Sequence, residues 1–199
     1  MTFVMMQIKR NKKIKMSNYV WYVGYGSNLL SERFHYYITG GKFPWGGKEN
    51  QRCREDPSLP IDDKPFKFNH RLYFAISAPG WKNGGVAFVS KTPDANSLTY
   101  GRKWKVSQTQ FSHIASEEGK VYEELLLGHD EQGIPIKTLT NSGELDRTKP
   151  SAEYVKTIIA GLKETHHLDD ETICNYLINT DGIKGEYGEQ EILEICSSV

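Results

Sequence analysis

An aromatic, β-branched run from Tyr19 to Val23 breaks into Gly24-Tyr25-Gly26-Ser27-Asn28, and an apolar, helix-like stretch starts at Leu29. This strand–turn–helix junction constrains the chain more than any other segment. Two glycines in three residues let the backbone turn sharply where a side chain would clash. Consecutive N–H groups at the start of a helix, with the helix dipole behind them, suit a carboxylate or a phosphate. No Gly-Lys-Ser/Thr follows, so the turn is not a Walker loop, and its spacing is not Gly-x-Gly-x-x-Gly. On these residues alone, a strand-to-helix turn without a ligand is an equal reading.

The 199 residues suffice for one domain with a substantial core and are short for two. Lys plus Arg number 25 and Asp plus Glu also 25, so no overall field draws the chain to nucleic acid or anionic lipid. Only the first 17 residues are clearly basic, with Lys9, Arg10, Lys12, Lys13 and Lys15 close together. They read as a disordered or weakly ordered leader, with a nucleic-acid arm as the competing reading. Met16 is an alternative start. The leader's apolar residues are too few and scattered for a signal peptide or membrane helix, which points to the cytoplasm. Cys53, Cys174 and Cys196 are widely spaced without a Cys-x-x-Cys pair, and His166-His167 beside Asp169-Asp170 point to different helix faces, so no disulfide framework or metal site is expected.

Residues 18–199 read as a single domain. Leu29 to about Ile38 is a short helix, and residues 39–67 form a polar, Gly/Pro-rich insertion, either a substrate lid or a surface loop. Strands are expected over Phe68 to Ser77, Gly85 to Ser90, Tyr100 to Val106 and Val121 to Leu127, with Ile134 to Leu139 extending the sheet. Ser151 caps a helix whose stripe is Tyr154, Val155, Ile158, Ile159 and Leu162, and another helix starts near Asp169 or Asp170. Strands first and helices last, without sustained βαβ alternation, argue for an α+β fold with a mixed, curled, partly barrel-like sheet and surrounding helices.

The segment Ser107 to Gly119 places a carboxylate in an unusual position. Ser107 and Gln110 fit a capping box, and Gly119 fits a helix terminator. Phe111, Ile114, Ala115 and Glu118 share one helical face, so packing of the first two turns Glu118 inward. There it opposes the helix dipole and loses hydration, an environment suited to a general acid–base. Glu117 points about 100° away and is expected in solvent.

These landmarks are similar to those of a known family. YGSNLLSER resembles the opening motif of the γ-glutamylcyclotransferases, Gly84-Gly85-Val86-Ala87 resembles their GG(V/I)A segment, and Trp104-Lys105 followed by a helix and Glu117-Glu118-Gly119 resembles the stretch ending in their catalytic Glu-Gly pair. The three motifs cover roughly residues 19 to 128, and Pro150 to Leu162 resembles the closing helix. The 39–67 segment is longer than the family's connection. The resemblance implies a metal-independent enzyme of acyltransferase or lyase type, without a cofactor. It would cleave a small-molecule γ-glutamyl amide by internal attack of the α-amine, releasing 5-oxoproline and an amine or amino acid. Glu118 is the implied acid–base, and Tyr25, Gly26, Ser27, Asn28, Leu29 and Tyr122 are the implied substrate contacts. Neither nucleic acid nor membrane is an implied partner, and a homodimer is compatible. Cyclotransfer from γ-glutamyl amines, tailoring of a specialised metabolite, and non-catalytic binding of an amino acid or peptide are the alternatives.

Overall fold

The computed structural model describes residues 18–143 and 145–199; the basic leader and Met16 lie outside the described residues. Strand β1 (Tyr19–Gly24) is buried on both faces, as its continuous aromatic and β-branched sequence requires. Alternation along it supplies two cores. Val20 and Tyr22 join Phe34, Trp104, Phe111 and Ile114 on one face, while Trp21 and Val23 join the larger cluster that contains Ile158, Ile159 and Leu162 on the other.

Helix α1 (Ser31–Thr39) follows the 3-10 turn Ser27–Leu29. The expected helix start at Leu29 is therefore displaced to Ser31. No side chain of the N-cap residue Leu30 caps the helix; instead Glu164 accepts from the Ser31 amide at 3.1 Å and from its hydroxyl at 2.5 Å. The next strands are β2 (Gly41–Lys42), β3 (Glu49–Asn50) and β4 (Asp62–Phe68). Residues 39–67 thus carry three strands where a structureless insertion was expected. Phe43 and Cys53 are buried, Cys53 donates its amide to the Ile38 carbonyl, and Asp56 accepts from Ser107 at the cap of the following helix. Hydrogen bonds from Ser107 and Ser58 hold the Asp56 carboxyl below its ordinary range. Apolar anchors and capping bonds keep this segment against the body of the protein.

Strands β5 (Leu72–Ala78) and β6 (Gly84–Val89) form a separate antiparallel hairpin, so Phe68 closes β4 instead of opening the next strand. Strand β7 (Thr99–Ser107) leads directly into helix α2 (Gln108–Glu118), whose capping box forms as the sequence predicts. Strands β8 (Glu123–His129) and β9 (Pro135–Thr140) complete a five-stranded sheet of order β4-β7-β1-β9-β8. The pair β1–β9 is parallel and the other neighbours are antiparallel. The sheet is mixed and open, with β4 and β8 at its edges, so strand pairing closes no barrel among the described residues. Strand β8 starts two residues later than the apolar run Val121 to Leu127 suggests. As an edge strand it leaves Leu126 exposed.

Helices α3 (Ala152–His166) and α4 (Asp170–Ile178) are capped by Ser151 and Asp169, matching the sequence signals. A further helix, α5 (Glu189–Ser197), buries only Ile192 and Cys196, a stripe too sparse to stand out by periodicity. No helix of the described residues is long and apolar enough to cross a membrane.

Candidate active site

The turn after β1, the C-terminal end of α2, the β5–β6 connection and Tyr154 enclose a cleft of about 440 Å³. Gly26, Ser27 and Asn28 line it. Neither Gly24 nor Gly26 has a positive φ; both are required by close approach. A Cβ on Gly24 would lie 2.7 Å from the Asn28 Cβ, and one on Gly26 would lie 2.6 Å from the Tyr154 hydroxyl. The turn is fastened from β7, where Trp104 Nε1 donates to the Asn28 carbonyl at 3.0 Å and Arg102 Nη1 donates to the Leu29 carbonyl at 3.2 Å.

Glu118 ends α2 and lines the cleft, as its helical face predicts. Tyr37 Oη donates to its Oε1 at 2.6 Å and Asn28 Nδ2 donates to the same oxygen at 3.1 Å. Neither bond engages Oε2. Asn28 Nδ2 also donates to the Tyr22 hydroxyl at 2.9 Å. A carboxylate is acceptor-only, which fixes the orientation of the Asn28 amide. Asn28 Oδ1 is then buried without a hydrogen-bond partner among the described residues, and so is Arg33 Nε. Both side chains line the cleft. A buried donor or acceptor left unpaired is costly, and here a donor and an acceptor are unpaired in one cleft.

Five phenols surround the carboxylate. Burial pushes Tyr22, Tyr25, Tyr37 and Tyr122 well above the ordinary tyrosine value, and the charge of Glu118 adds to the effect. Tyr154 is pushed up to about 12, first by burial. All five remain neutral hydrogen-bonding groups at physiological pH. A bulge in β5 gives Ile76 a φ of 59°, unusual for a β-branched residue, and Ile76 also lines the cleft.

Most residues singled out in the sequence meet at this cleft, with two corrections. Tyr25 lines it, with its hydroxyl donating to the Leu139 carbonyl at 2.6 Å, and Tyr122 lines it with its ring stacked on Phe88 at 4.8 Å. Leu29 does not: its side chain is fully buried in the core, and only its carbonyl helps fasten the turn. Glu117 is not in solvent, its side chain being 13% exposed. Its Oε2 accepts from Asn50 Nδ2 at 3.2 Å and from the Gln51 amide at 3.3 Å, and pairs with Lys48 at 3.2 Å. The folded 39–67 segment supplies these partners.

Sequence reasoning missed Tyr22, Arg33, Tyr37, Lys48, Trp81 and Tyr154 as cleft residues. One signal was present. Arg33 falls on the same helical stripe as Phe34, Tyr37 and Ile38, and a charge on an apolar face marked Glu118 by the same logic.

No protein-family model matches the chain. A curated relative, Histone deacetylase 5 of Arabidopsis thaliana, is 30% identical over 200 residues, covering 79% of this chain. The chain spans 30% of that relative's length, so most of the relative lies outside the match. Among solved structures, one described as gamma-glutamyl cyclotransferase has a TM-score of 0.59 at 21% identity, covering 91% of this chain and 99% of its own. An uncharacterized human protein has a TM-score of 0.57 at 21% identity, covering 90% of this chain and 99% of its own. YkqA from Bacillus subtilis has a TM-score of 0.51 at 15% identity, covering 79% of this chain and 52% of its own. The α+β fold of this chain is therefore the one found in gamma-glutamyl cyclotransferase-like structures.

Proposed function

We propose that this chain is a cyclotransferase that converts a γ-glutamyl amide to 5-oxoproline and a free amine. The carrying observation is Glu118, whose Oε1 is held by Tyr37 and Asn28 while neither of those bonds engages Oε2. In this reading Oε2 removes a proton from the substrate's α-ammonium group. The freed amine attacks the γ-carbonyl carbon and closes a five-membered ring. The bond to the leaving nitrogen then breaks as Glu118 returns the proton to it, and the surplus proton on the ring nitrogen passes to the released amine, which departs as an ammonium ion. The nucleophile belongs to the substrate, so holding it in a folded conformation supplies much of the rate.

The unpaired Asn28 Oδ1 suits the ammonium as an acceptor. The amides of Gly26, Ser27 and Asn28, at the N-cap and start of the 3-10 turn, are assigned to the α-carboxylate. A cleft of about 440 Å³ suits a small molecule. A binding module for an acidic ligand would gain nothing from a carboxylate at this position, which favours the enzyme reading.

The test is mass spectrometry of the purified protein with γ-glutamyl dipeptides, γ-glutamyl amines and glutathione, each with and without EDTA. Formation of 5-oxoproline that survives EDTA and is lost in Glu118→Gln is expected. No 5-oxoproline from any of these compounds, or strict dependence on an added metal, overturns the proposal.

A further inference from the structure

We infer that Arg33 is a positioning residue for Glu118, acting through Tyr37 and held in place by Asn50 of the 39–67 segment. The geometric part stands independently; its catalytic consequence rests on the reading of Glu118 as the acid–base. Arg33 is 3% exposed, and none of the ion pairs found among the described residues includes it. A buried charge without a direct counter-ion is costly and calls for a use.

Its Nη2 donates to the Tyr37 hydroxyl at 3.3 Å, and the guanidinium lies 4.7 Å from the centre of the Tyr37 ring. Every proton direction here is forced. Guanidinium only donates and carboxylate only accepts, so the phenol must accept from Arg33 and give its single proton to Glu118. A cation behind the phenol strengthens that donation, because successive hydrogen bonds polarise one another. On the other side, Arg33 Nη1 donates to Asn50 Oδ1 at 3.2 Å, and Asn50 Nδ2 donates to Glu117. The Asn50 amide is fixed by the same rule, a donor-only group on its oxygen and an acceptor-only group on its nitrogen.

The chain of contacts Lys48–Glu117–Asn50–Arg33–Tyr37–Glu118 thus joins the 39–67 segment to the candidate acid–base. It keeps Oε1 of Glu118 occupied by Tyr37, which in the proposed reaction leaves Oε2 for the proton transfer. The other ionisable groups coupled to Glu118 are Tyr22, Tyr25, Tyr122 and Tyr154, all neutral in the acid range, and its neighbour Glu117 is paired with Lys48.

The test is a crystal structure of the full chain as Arg33→Gln, set beside that of the unaltered chain. In the unaltered chain the Tyr37 hydroxyl is expected on Glu118 Oε1; in Arg33→Gln that bond should be lost and the Glu118 carboxylate displaced. A Tyr37–Glu118 bond unchanged in Arg33→Gln overturns the inference. Should Arg33→Gln fail to fold, Asn50→Ala frees the guanidinium from the 39–67 segment and must disturb the same bond; an unchanged bond there overturns the inference as well. The structures need no substrate, so they stand or fall separately from the proposed reaction. Where a substrate is turned over, Arg33→Gln should lower kcat about tenfold with little change in KM. A raised KM with unchanged kcat would instead make Arg33 a substrate-binding residue and overturn the positioning role.

Discussion

At the residue scale, the two adjacent glutamates at the end of α2 have opposite surroundings. Glu118 faces the cleft and accepts from Tyr37 and Asn28, whereas Glu117 is bound by Asn50, the Gln51 amide and Lys48. Glu118→Gln keeps the shape and removes the proton acceptor, so turnover should fall by about 10² to 10⁴ while the fold and ligand binding persist. Ordinary activity in that variant would remove Glu118 from the mechanism. Glu117→Gln, expected to be silent from helix geometry alone, should instead lower stability by about 1–2 kcal/mol through its charge-assisted bonds, with kcat changed far less. Thermal unfolding and kinetics on the two variants separate these outcomes.

At the element scale, the turn that carries Gly26 to Asn28 is shaped by α3 as much as by its own residues. Gly161 lets α3 approach so closely that a Cβ there would lie 2.4 Å from the Leu29 Cβ and 2.6 Å from the Leu30 amide nitrogen. In an exposed helix, Gly to Ala stabilises by about 1 kcal/mol. Here overpacking should win, so Gly161→Ala is expected to cost about 1–3 kcal/mol and to displace the turn with loss of activity. A gain in melting temperature with unchanged activity would contradict this. The turn's ligand preference is checked separately by soaking crystals with formate or 5-oxoproline. The anion should sit against the Gly26 to Asn28 amides beside Glu118; an anion bound elsewhere with this turn empty would defeat the assignment.

For the whole molecule, the concentration of buried phenols sets the alkaline limit of stability. Burial raises Tyr22, Tyr25, Tyr37 and Tyr122 above the value of 10.0 that they have when exposed, and takes Tyr154 to about 12. Above pH 10 the unfolded chain has lost these protons while the folded chain retains them. The stabilisation they contribute is full below that value and declines as pH rises through the folded values. In an ultraviolet titration, only part of the 11 tyrosines should ionise before the fold is lost. Ionisation of all of them near pH 10 with the fold intact would contradict the burial. The proposed reaction is unaffected in the neutral range, where every cleft phenol is protonated.

What the sequence determined by itself is local. The turn after β1, the Ser107–Gln110 capping box, the Ser151 and Asp169 caps, and the inward face of α2 that carries Glu118 all follow from backbone preferences and from spacings of three or four residues. Only the tertiary structure decided the partners. Glu164 caps α1 from 133 residues away, Asn50 takes Glu117 from 67 away, and Tyr37 and Asn28 reach Glu118 across 81 and 90 residues. Periodicity says which way a side chain points relative to its own helix, and so predicted that Glu118 faces inward and Glu117 away. It carries no information about which distant segment covers the outward face. Packing of the 39–67 segment, with Phe43 and Cys53 as its apolar anchors, therefore decided that Glu117 is bound instead of solvated.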